Sequence, residues 1–378
     1  MFKKNIKHFH SLGIMTGTSL DGIDISLISS DGQKFIKSIH NKTYNYSSEL
    51  KNQFKTLIKI INEEKITNIR EFERYKALEK VFNIYCIKKI QSFLKDFKVN
   101  IKDINIVGFH GQTIYHNANK KISIQMGSGK YLANFFGVPF IVNFRNRDIF
   151  DGGQGAPLVP IFHKTIFDNI QKPVYVINIG GISNVTWIGY DNFFSADVGP
   201  GNTLIDQYCV TYLKKKYDLN GSYSKMGNIN KTLLKNWLAK DIFKFSLPNS
   251  FDNYEFILEK FIERKEKANY DVLATLTKLT ATLIYKSHKL FPEKPKTWVI
   301  CGGGIHNKSI IDELKTISGK KIFVSSELGW SPDFIESQAF GYLAIRRILN
   351  LASSFPNTTG VQKPTICGDV FYSDQSFT

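Results

Sequence analysis

The sequence predicts an α/β protein built from two similar mixed-sheet domains. Segments 12–28 and 174–190 each read as a buried strand, a turn rich in Gly and small polar residues, and a second strand with alternating apolar residues. A further short strand and then alternating helix and strand patterns follow each of them. At 378 residues the chain also exceeds the length at which one hydrophobic core keeps growing. We therefore expect a duplicated fold with a cleft between the two domains.

The first half of the chain begins as an antiparallel meander. After the hairpin at 12–28, the pair Asp31-Gly32 favours a tight turn into a third strand at 34–40. Apolar spacing then predicts helices at 47–61 and 70–97, strands at 104–109 and 121–126, a short helix at 131–136, a strand at 140–143 and a polar loop at 145–154.

The second half repeats this order. After the hairpin at 174–190, a third strand is predicted at 193–197. Helices follow at about 202–215, 231–238, 254–264 and 271–290. The chain then continues with a strand at 297–301, a helix after Asn307, a strand at 321–324 and a last helix at 332–351. We place the first domain at 1–127 with about 350–378. The second domain, with helical insertions, occupies 128–349.

The composition favours a soluble cytoplasmic protein without a nucleic-acid or membrane partner. The net charge of +17 comes mostly from scattered lysines, whereas nucleic-acid surfaces cluster Lys and Arg. No apolar run has the length that crosses a membrane. The cysteines lack the spacing of zinc sites or disulfide frameworks, which fits a reducing compartment: they are Cys86, Cys209, Cys301 and Cys367.

The turn of the first hairpin combines donors for an anion with acids for a cation. Gly17 leaves backbone N–H groups unobstructed, and Thr18 and Ser19 add hydroxyl donors. Asp21 and Asp24 supply carboxylates that could hold a hydrated cation. This combination indicates a nucleotide site. A tight hairpin with ordinary turn residues is the alternative for the segment taken alone.

Two further glycine-rich turns follow strands in the second half. Segment 197–202 joins a strand to a helix, so Gly199 and Gly201 would let backbone amides approach an anion at a helix N-terminus. Asp197 ends that strand, and we expect its carboxylate to face the cleft. The glycine triplet at 302–304 would let a flat purine ring lie against bare backbone. An ordinary strand-to-helix turn and a flexible loop are the alternatives.

Amides, hydroxyls and guanidinium groups are concentrated between these turns. His110-Gly-Gln-Thr follows a strand, and Arg145-Asn-Arg-Asp leads into the loop 151–157. Such forked donors suit a polyhydroxylated ligand with a carboxylate, so we expect a sugar. A structural histidine and surface ion pairs are the alternatives. Glu336 is either a sugar contact or a favourable acid at a helix N-terminus.

Together these segments resemble the anhydro-N-acetylmuramic acid kinases, bacterial members of the actin, Hsp70 and sugar-kinase superfamily. The resemblance spans nearly the whole chain and implies a two-domain duplicated RNase H-like (actin-like ATPase) fold. It is carried by Gly17-Thr-Ser-Leu-Asp-Gly-Ile-Asp24, His110-Gly-Gln-Thr113, Gly152-Gly-Gln-Gly-Ala-Pro-Leu158, Asn178-Ile-Gly-Gly-Ile-Ser-Asn184, Asp197-Val-Gly-Pro-Gly-Asn202 and Cys301-Gly-Gly-Gly304.

The resemblance implies transfer of the γ-phosphoryl group of ATP to 1,6-anhydro-N-acetylmuramic acid with simultaneous hydrolytic opening of the anhydro ring. Asp197 is then the catalytic base, Mg²⁺ assists, and a homodimer is expected. The residues assigned to the nucleotide are Gly17, Thr18, Ser19, Leu20, Asp21, Gly22, Ile23, Asp24, Gly199, Gly201, Gly302, Gly303 and Gly304. Those assigned to the sugar are His110, Gln112, Thr113, Arg147 and Glu336, and the metal candidates are Asp21 and Asp24.

Three positions depart from the family pattern. Thr16 replaces the usual Ser before the first turn, and Val198 replaces a Thr beside the proposed base. Phe150 stands where a small residue is usual, and we expect it to narrow the sugar pocket. None of these changes removes a proposed catalytic group.

Three other functions remain open at this point. The same fold could serve a chaperone-like or filament-forming ATPase, although no separate substrate domain or polymer-forming insertion is evident. It could also serve an ordinary sugar kinase that phosphorylates a free hydroxyl. A nuclease of the RNase H type would use the acids and the positive charge, but it gives the glycine-rich turns no role.

Overall fold

The computed structural model describes residues 7–244, 246–251, 255–262 and 269–374. Its strands are β1 (Phe9–Met15), β2 (Gly22–Ser30), β3 (Ile36–Asn45), β4 (Ile106–Phe109), β5 (Gln112–Asn117), β6 (Ile122–Met126), β7 (Phe140–Val142), β8 (Val174–Ile179), β9 (Ile182–Ile188), β10 (Phe193–Pro200), β11 (Thr297–Cys301), β12 (Ile322–Val324) and β13 (Asp369–Phe371). Its α-helices are α1 (Ser48–Glu63), α2 (Glu73–Asp96), α3 (Gly129–Phe136), α4 (Phe144–Phe150), α5 (Pro160–Ile166), α6 (Thr203–Tyr208), α7 (Lys231–Leu238), α8 (Tyr270–Ser287), α9 (Lys308–Ser318), α10 (Ile335–Ile348) and α11 (Pro356–Thr359).

The chain forms two compact units whose boundaries differ from the expected domain limits. Unit 1 contains 1–165, 336–355 and 361–378, and unit 2 contains 166–335 and 356–360. Unit 1 extends past residue 127 because β7 pairs with β4 in its sheet. It includes α10 because that helix lies directly on β1, where a Cβ at Gly13 would be 1.8 Å from the carbonyl O of Ser337.

The sheet of unit 1 has six strands in the order β13-β7-β4-β1-β2-β3. Strands β1, β2 and β3 form the predicted antiparallel meander, and β4 and β7 add to it in parallel. Strands β5 and β6 form a separate hairpin. Apolar residues of α1 and α2, such as Phe54 and Phe82, pack with the meander into one buried core.

The sheet of unit 2 repeats that topology. Its order is β10-β9-β8-β11-β12, with β8, β9 and β10 antiparallel and β11 and β12 parallel to β8. The central strand β8 is buried along its whole length, as expected for a strand covered on both faces. The hydrophobic core of unit 2 includes Tyr175 and Trp298. The predicted duplicated α/β fold with mixed sheets is therefore confirmed.

Four local predictions differ from the structure or lie partly outside it. The expected polar loop at 145–154 contains α4, because Phe144, Asp148 and Ile149 form one buried face of a helix. Strand β5 (Gln112–Asn117) lies just after His110, where the sequence predicts no strand. The helix expected at 202–215 is α-helical only over α6 and continues as a π-helix, Cys209–Leu213. Of the helix expected at 254–264, residues 254, 263 and 264 lie outside the described residues.

Candidate active site

The first glycine-rich turn connects β1 to β2 and presents its polar side chains to solvent. Thr18 and Ser19 are exposed, whereas the side chain of Leu20 is buried and anchors the turn. Leu20, rather than Gly22, has the positive φ of 56°. The left-handed position of this turn is therefore a buried leucine, two residues before Gly22.

The side chains of Leu20 and Ile23 belong to the hydrophobic core of unit 1. Of the eight residues assigned to the phosphates in this segment, these two can therefore contribute only backbone groups. The remaining residues of this segment are exposed or half-exposed, so the turn has a buried apolar side and a polar side that faces solvent. This arrangement leaves the hydroxyls of Thr18 and Ser19 as the outward-facing side-chain donors.

The two metal candidates are already bonded to protein groups. The Asp21 carboxylate accepts from the ammonium of Lys51 at 2.6 Å, and the Asp24 carboxylate accepts from the hydroxyl of Thr43 at 2.5 Å. In the described part of the chain no cluster of three or more His, Cys, Asp or Glu residues could hold a metal. Mg²⁺ in kinases needs only one or two carboxylates besides phosphates and water, so this donor set fits the ion only together with a nucleotide.

His110 lies at the end of β4 and is buried. Its Nε2 accepts from Nε of Arg145 at 3.0 Å, and the same guanidinium donates to the carbonyl O of Gly155 at 2.8 Å. The pKa of His110 is held well below its ordinary value, mainly by burial and secondly by the positive charge of Arg145. His110 is therefore neutral and joins the 110–113 segment to the glycine-rich loop, in addition to any contact with a ligand.

The glycine-rich loop at 151–157 is folded around a buried carboxylate. Asp148 accepts from the backbone N–H of Gly155 at 2.6 Å, and its backbone carbonyl accepts from the N–H of Gly153 at 2.8 Å. A Cβ at Gly153 would lie 2.2 Å from Asp148 Oδ1. Gly153 and Gly155 are thus required by the loop itself. The sequence pattern singled out the motif that ends in Asp148 for its donors, but it did not predict that this carboxylate holds the loop.

Three further residues of unit 1 differ in their exposure to solvent: Arg147, Phe150 and Glu336. Arg147 is exposed and ion-paired with Asp151 at 3.0 Å. Its guanidinium lies 5.6 Å from the ring centroid of Phe150, whose side chain is 73% exposed. Glu336 is half-buried in the first turn of α10. Phe150 lines a surface groove together with Arg70 and Asn146.

The carboxylate of Asp197, a predicted site residue of unit 2, is held by neighbouring donors. Asp197 lies in β10, is 7% exposed, and its Oδ2 accepts from the backbone N–H of Phe251 at 2.9 Å and from the hydroxyl of Ser250 at 3.2 Å. Asn249 bonds both the N–H and the carbonyl of Asp197, at 2.9 Å and 3.0 Å. The segment 249–251 was not predicted, because nothing in its sequence marks it as a partner of β10.

The turn after Asp197 uses its backbone donors within the protein. The N–H groups of Gly201 and Thr203 donate to the carbonyl of Gly181 at 2.7 Å and 3.2 Å, and that of Asn202 donates to Gly180 at 2.9 Å. The expected phosphate contact through a helix N-terminus is therefore not supported for these amides. Val198, buried at 1% exposure, is the extra residue of a β-bulge.

The glycines assigned to the nucleotide fall into two steric groups. At Gly17 an added Cβ would meet its nearest atom at 3.5 Å, and at Gly303 it would meet nothing within 4 Å. Neither residue has a positive φ. At the others an added Cβ would lie 2.2 to 2.7 Å from protein atoms: Gly22, Gly199, Gly201, Gly302 and Gly304. Among the glycines assigned to the nucleotide, Gly17 and Gly303 are therefore the two whose lack of a side chain is not explained by the packing of the protein.

Two sheets of one topology, each with a glycine-rich turn beside its first strand, define a duplicated α/β fold of the actin-like ATPase and sugar-kinase class. A family model described as anhydro-N-acetylmuramic acid kinase matches residues 9–373. The chain belongs to this family and is a kinase, which confirms the resemblance carried by its motifs.

Relatives resemble the chain over almost its full length. The anhydro-N-acetylmuramic acid kinase of Pelagibacter ubique (strain HTCC1062) is 38% identical, with 96% of this chain and 98% of that relative covered. The enzyme of the same name from Bradyrhizobium diazoefficiens is 34% identical, with 95% and 98% covered. A solved structure is also similar: component A of the Acidaminococcus fermentans (R)-2-hydroxyglutaryl-CoA dehydratase, with a TM-score of 0.46 and 13% sequence identity. The match covers 90% of this chain and 99% of the chain in that structure.

Among residues 7–244, 246–251, 255–262 and 269–374, no helix has both the length and the apolar character needed to cross a bilayer.

Proposed function

We propose that the protein phosphorylates 1,6-anhydro-N-acetylmuramic acid with ATP and opens the anhydro ring by hydrolysis in the same reaction. The products are N-acetylmuramic acid 6-phosphate and ADP. The observation that carries this proposal is the buried carboxylate of Asp197, oriented by two donors from residues 250 and 251. Membership of a family of kinases named for this sugar supports the choice of substrate.

The proposed reaction needs one base. Water attacks the anomeric carbon and loses a proton to the Asp197 carboxylate, and the bond between that carbon and the bridging oxygen breaks. The bridging oxygen, now at C6, takes the γ-phosphoryl group, and ADP leaves. Water and ATP are thus both consumed, and the net reaction releases one proton. A carboxylate held by donors to one oxygen is suitably oriented for proton removal.

The residues of the first turn would bind the phosphates of ATP. The exposed hydroxyls of Thr18 and Ser19 and the backbone beside Gly17 are donors of the kind that bind phosphate. Asp21 and Asp24 would hold Mg²⁺ once the nucleotide is present, and the ion would neutralise charge on the transferred phosphoryl group. A loose phosphoryl-transfer transition state depends mainly on such positioning and charge neutralisation.

The remaining contacts belong to the same proposal. His110, Thr113, Arg147 and Glu336 would bind the sugar, and Gly303 would face the adenine. The product is a phosphorylated amino sugar of the cell wall, which fits a cytoplasmic role in recycling. A homodimer is proposed on the family resemblance.

The proposal is tested by incubating the protein with Mg-ATP and the anhydro sugar and analysing the product by mass. The expected product is heavier than the sugar by one phosphoryl group and one water. A product that gains phosphate without water would identify a hydroxyl-directed sugar kinase instead. ATP turnover that is independent of the sugar would indicate a plain ATPase.

A further inference from the structure

Gln112 lies beneath the first glycine-rich turn and bonds directly to it. The side chain is fully buried. Its Nε2 donates to the carbonyl O of Gly17 at 3.1 Å, and its Oε1 accepts from the hydroxyl of Tyr46 at 3.1 Å. One amide group therefore connects the start of the turn to the segment that precedes α1.

The turn is also bonded to the same surroundings at two other points. Thr16 Oγ1 donates to the carbonyl O of Gly111 at 2.7 Å, and the backbone N–H of Tyr46 donates to the carbonyl O of Asp21 at 3.0 Å. Tyr46 is 8% exposed and packs against the rings of Phe54 and Phe82. Buried polar networks whose members are bonded to one another hold a single geometry.

We propose that Gln112 and Tyr46 are positioning residues that hold the 16–21 turn in the geometry that binds nucleotide phosphate. This inference rests on the proposed role of the turn in binding ATP. It revises the expectation for Gln112, whose side-chain hydrogen bonds run inward to the turn and to Tyr46 instead of outward to a sugar. Small displacements of positioned groups cost large factors in binding and rate, so loss of the Gln112 bond should be measurable at the nucleotide.

The first test compares Gln112→Leu and Tyr46→Phe with the wild-type enzyme. We expect the KM for ATP to rise about tenfold in each, because each leaves a buried partner without its hydrogen bond, while the KM for the sugar changes little. Tyr75→Phe is the matched control, since it removes the hydroxyl of another buried tyrosine of unit 1, one that donates to Glu79 at 3.2 Å. An unchanged KM for ATP, or an equal rise in the control, overturns the inference.

The second test uses Gln112→Glu, which keeps the size of the side chain. A protonated carboxyl can donate to Gly17 and accept from Tyr46, whereas a carboxylate can only accept. Burial raises the pKa of such a carboxyl, so we expect the KM for ATP of this variant to fall towards the wild-type value as the pH is lowered from 8 to about 6. Gln112→Leu should show no such recovery. Absence of recovery in Gln112→Glu contradicts the donor role of Gln112.

The other ionisable groups around this network are shared by all the variants. Asp24, Tyr85 and Cys86 interact with Tyr46, and burial raises the pKa of both Tyr85 and Cys86, so these two remain neutral over the pH range used. The pH profile of the wild-type enzyme therefore serves as the reference for each variant.

Failure of this inference can be separated from failure of the proposed function. If Gly17→Ala raises the KM for ATP and the Gln112 variants do not, the turn binds ATP and the positioning role is wrong. If none of these substitutions changes the KM for ATP, the proposed phosphate role of the turn is wrong as well. Variants that do not fold are identified by thermal unfolding, and the isosteric Gln112→Glu and the small change Tyr46→Phe then decide the matter.

Discussion

The Oδ2 atom of Asp197 and the backbone nitrogen of Phe251 lie 2.9 Å apart, although the two residues are 54 positions apart in the sequence. The hydroxyl of Ser250 donates to the same oxygen at 3.2 Å. Two donors on one oxygen fix the plane of a carboxylate that is almost fully buried. A base that is held in this way needs no reorganisation when it accepts a proton.

Asp197→Asn should lower turnover by orders of magnitude while leaving the fold and ATP binding nearly intact. The amide oxygen can still accept from Phe251 and Ser250, but an amide cannot act as a base at neutral pH. We expect kcat to fall by a factor of about 10² to 10⁴, the usual contribution of general-base catalysis. Steady-state kinetics and equilibrium ATP binding measure the two effects. Near-normal turnover would show that Asp197 is not the base.

Ser250→Ala should lower kcat without weakening ATP binding. It removes one of the two donors to the Asp197 carboxylate, and a hydrogen bond to a charged group contributes about 1.5 kcal/mol or more, which is about tenfold in rate. Ser287→Ala is the control, because it also removes a serine hydroxyl of unit 2 that bonds another side chain, the hydroxyl of Tyr175 at 2.6 Å, although Ser287 is buried and Ser250 is only half-buried. A kcat equal to that of the control would mean that Phe251 alone orients the base.

The repeated meander could be predicted because its signals are local. Alternating apolar residues and turn residues define each strand of 12–28 and 174–190, and the duplicated sheet order follows from connecting neighbouring strands. The proposal for Asp197 rests on an equally local signal, a polar residue that ends the strand predicted at 193–197, and it stays a prediction; β10 itself continues to Pro200. These features depend on residues that are close together in the chain.

The remaining features depend on contacts between distant segments. The bond of Gln112 to Gly17 spans 95 residues, and that of Ser250 to Asp197 spans 53. Neither pair leaves a pattern in the sequence. The 199–202 turn was read as an anion site for a related reason, because its spacing cannot reveal that Gly180 and Gly181 already accept from its amides.

Gly17→Ala and Gly303→Ala should weaken ATP binding without destabilising the protein. A methyl group at either position meets no protein atom closer than 3.5 Å, so only a bound ligand can exclude it. We expect the dissociation constant for ATP to rise about tenfold or more, since a methyl group would displace closely packed phosphate or purine, and the thermal unfolding midpoint to stay unchanged. Isothermal titration and thermal unfolding measure the two quantities.

Gly304→Ala is the contrasting variant within the same triplet. Its Cβ would lie 2.2 Å from the side chain of Ile179, so this substitution should lower the unfolding midpoint whether or not ATP is present. Normal ATP affinity in Gly303→Ala would argue against a purine beside residue 303. A destabilised Gly17→Ala would mean that packing, not a ligand, excludes a side chain there.

Three buried or half-buried histidines of unit 1 should make the protein less stable as the pH falls below about 6.5. Burial lowers the pKa of His116 to about 4 and that of His163 to about 3, and it also lowers that of His110. The unfolded chain therefore binds more protons than the fold in this range. The stabilisation is complete above the unfolded pKa and is lost as the pH falls towards the folded pKa values.

His163→Leu should reduce that pH dependence. Between pH 7.5 and pH 5, each of His116 and His163 should cost the fold about 2 kcal/mol, from linkage between an unfolded pKa of about 6.5 and the lower folded values. Removing His163, which is 1% exposed, should shrink the difference in the free energy of unfolding between the two pH values by that amount. His10→Gln, at an exposed position of β1, is the control and should leave the difference unchanged. Urea unfolding at the two pH values measures it, and an equal pH dependence in His163→Leu and the wild type would show that His163 becomes protonated within the folded protein.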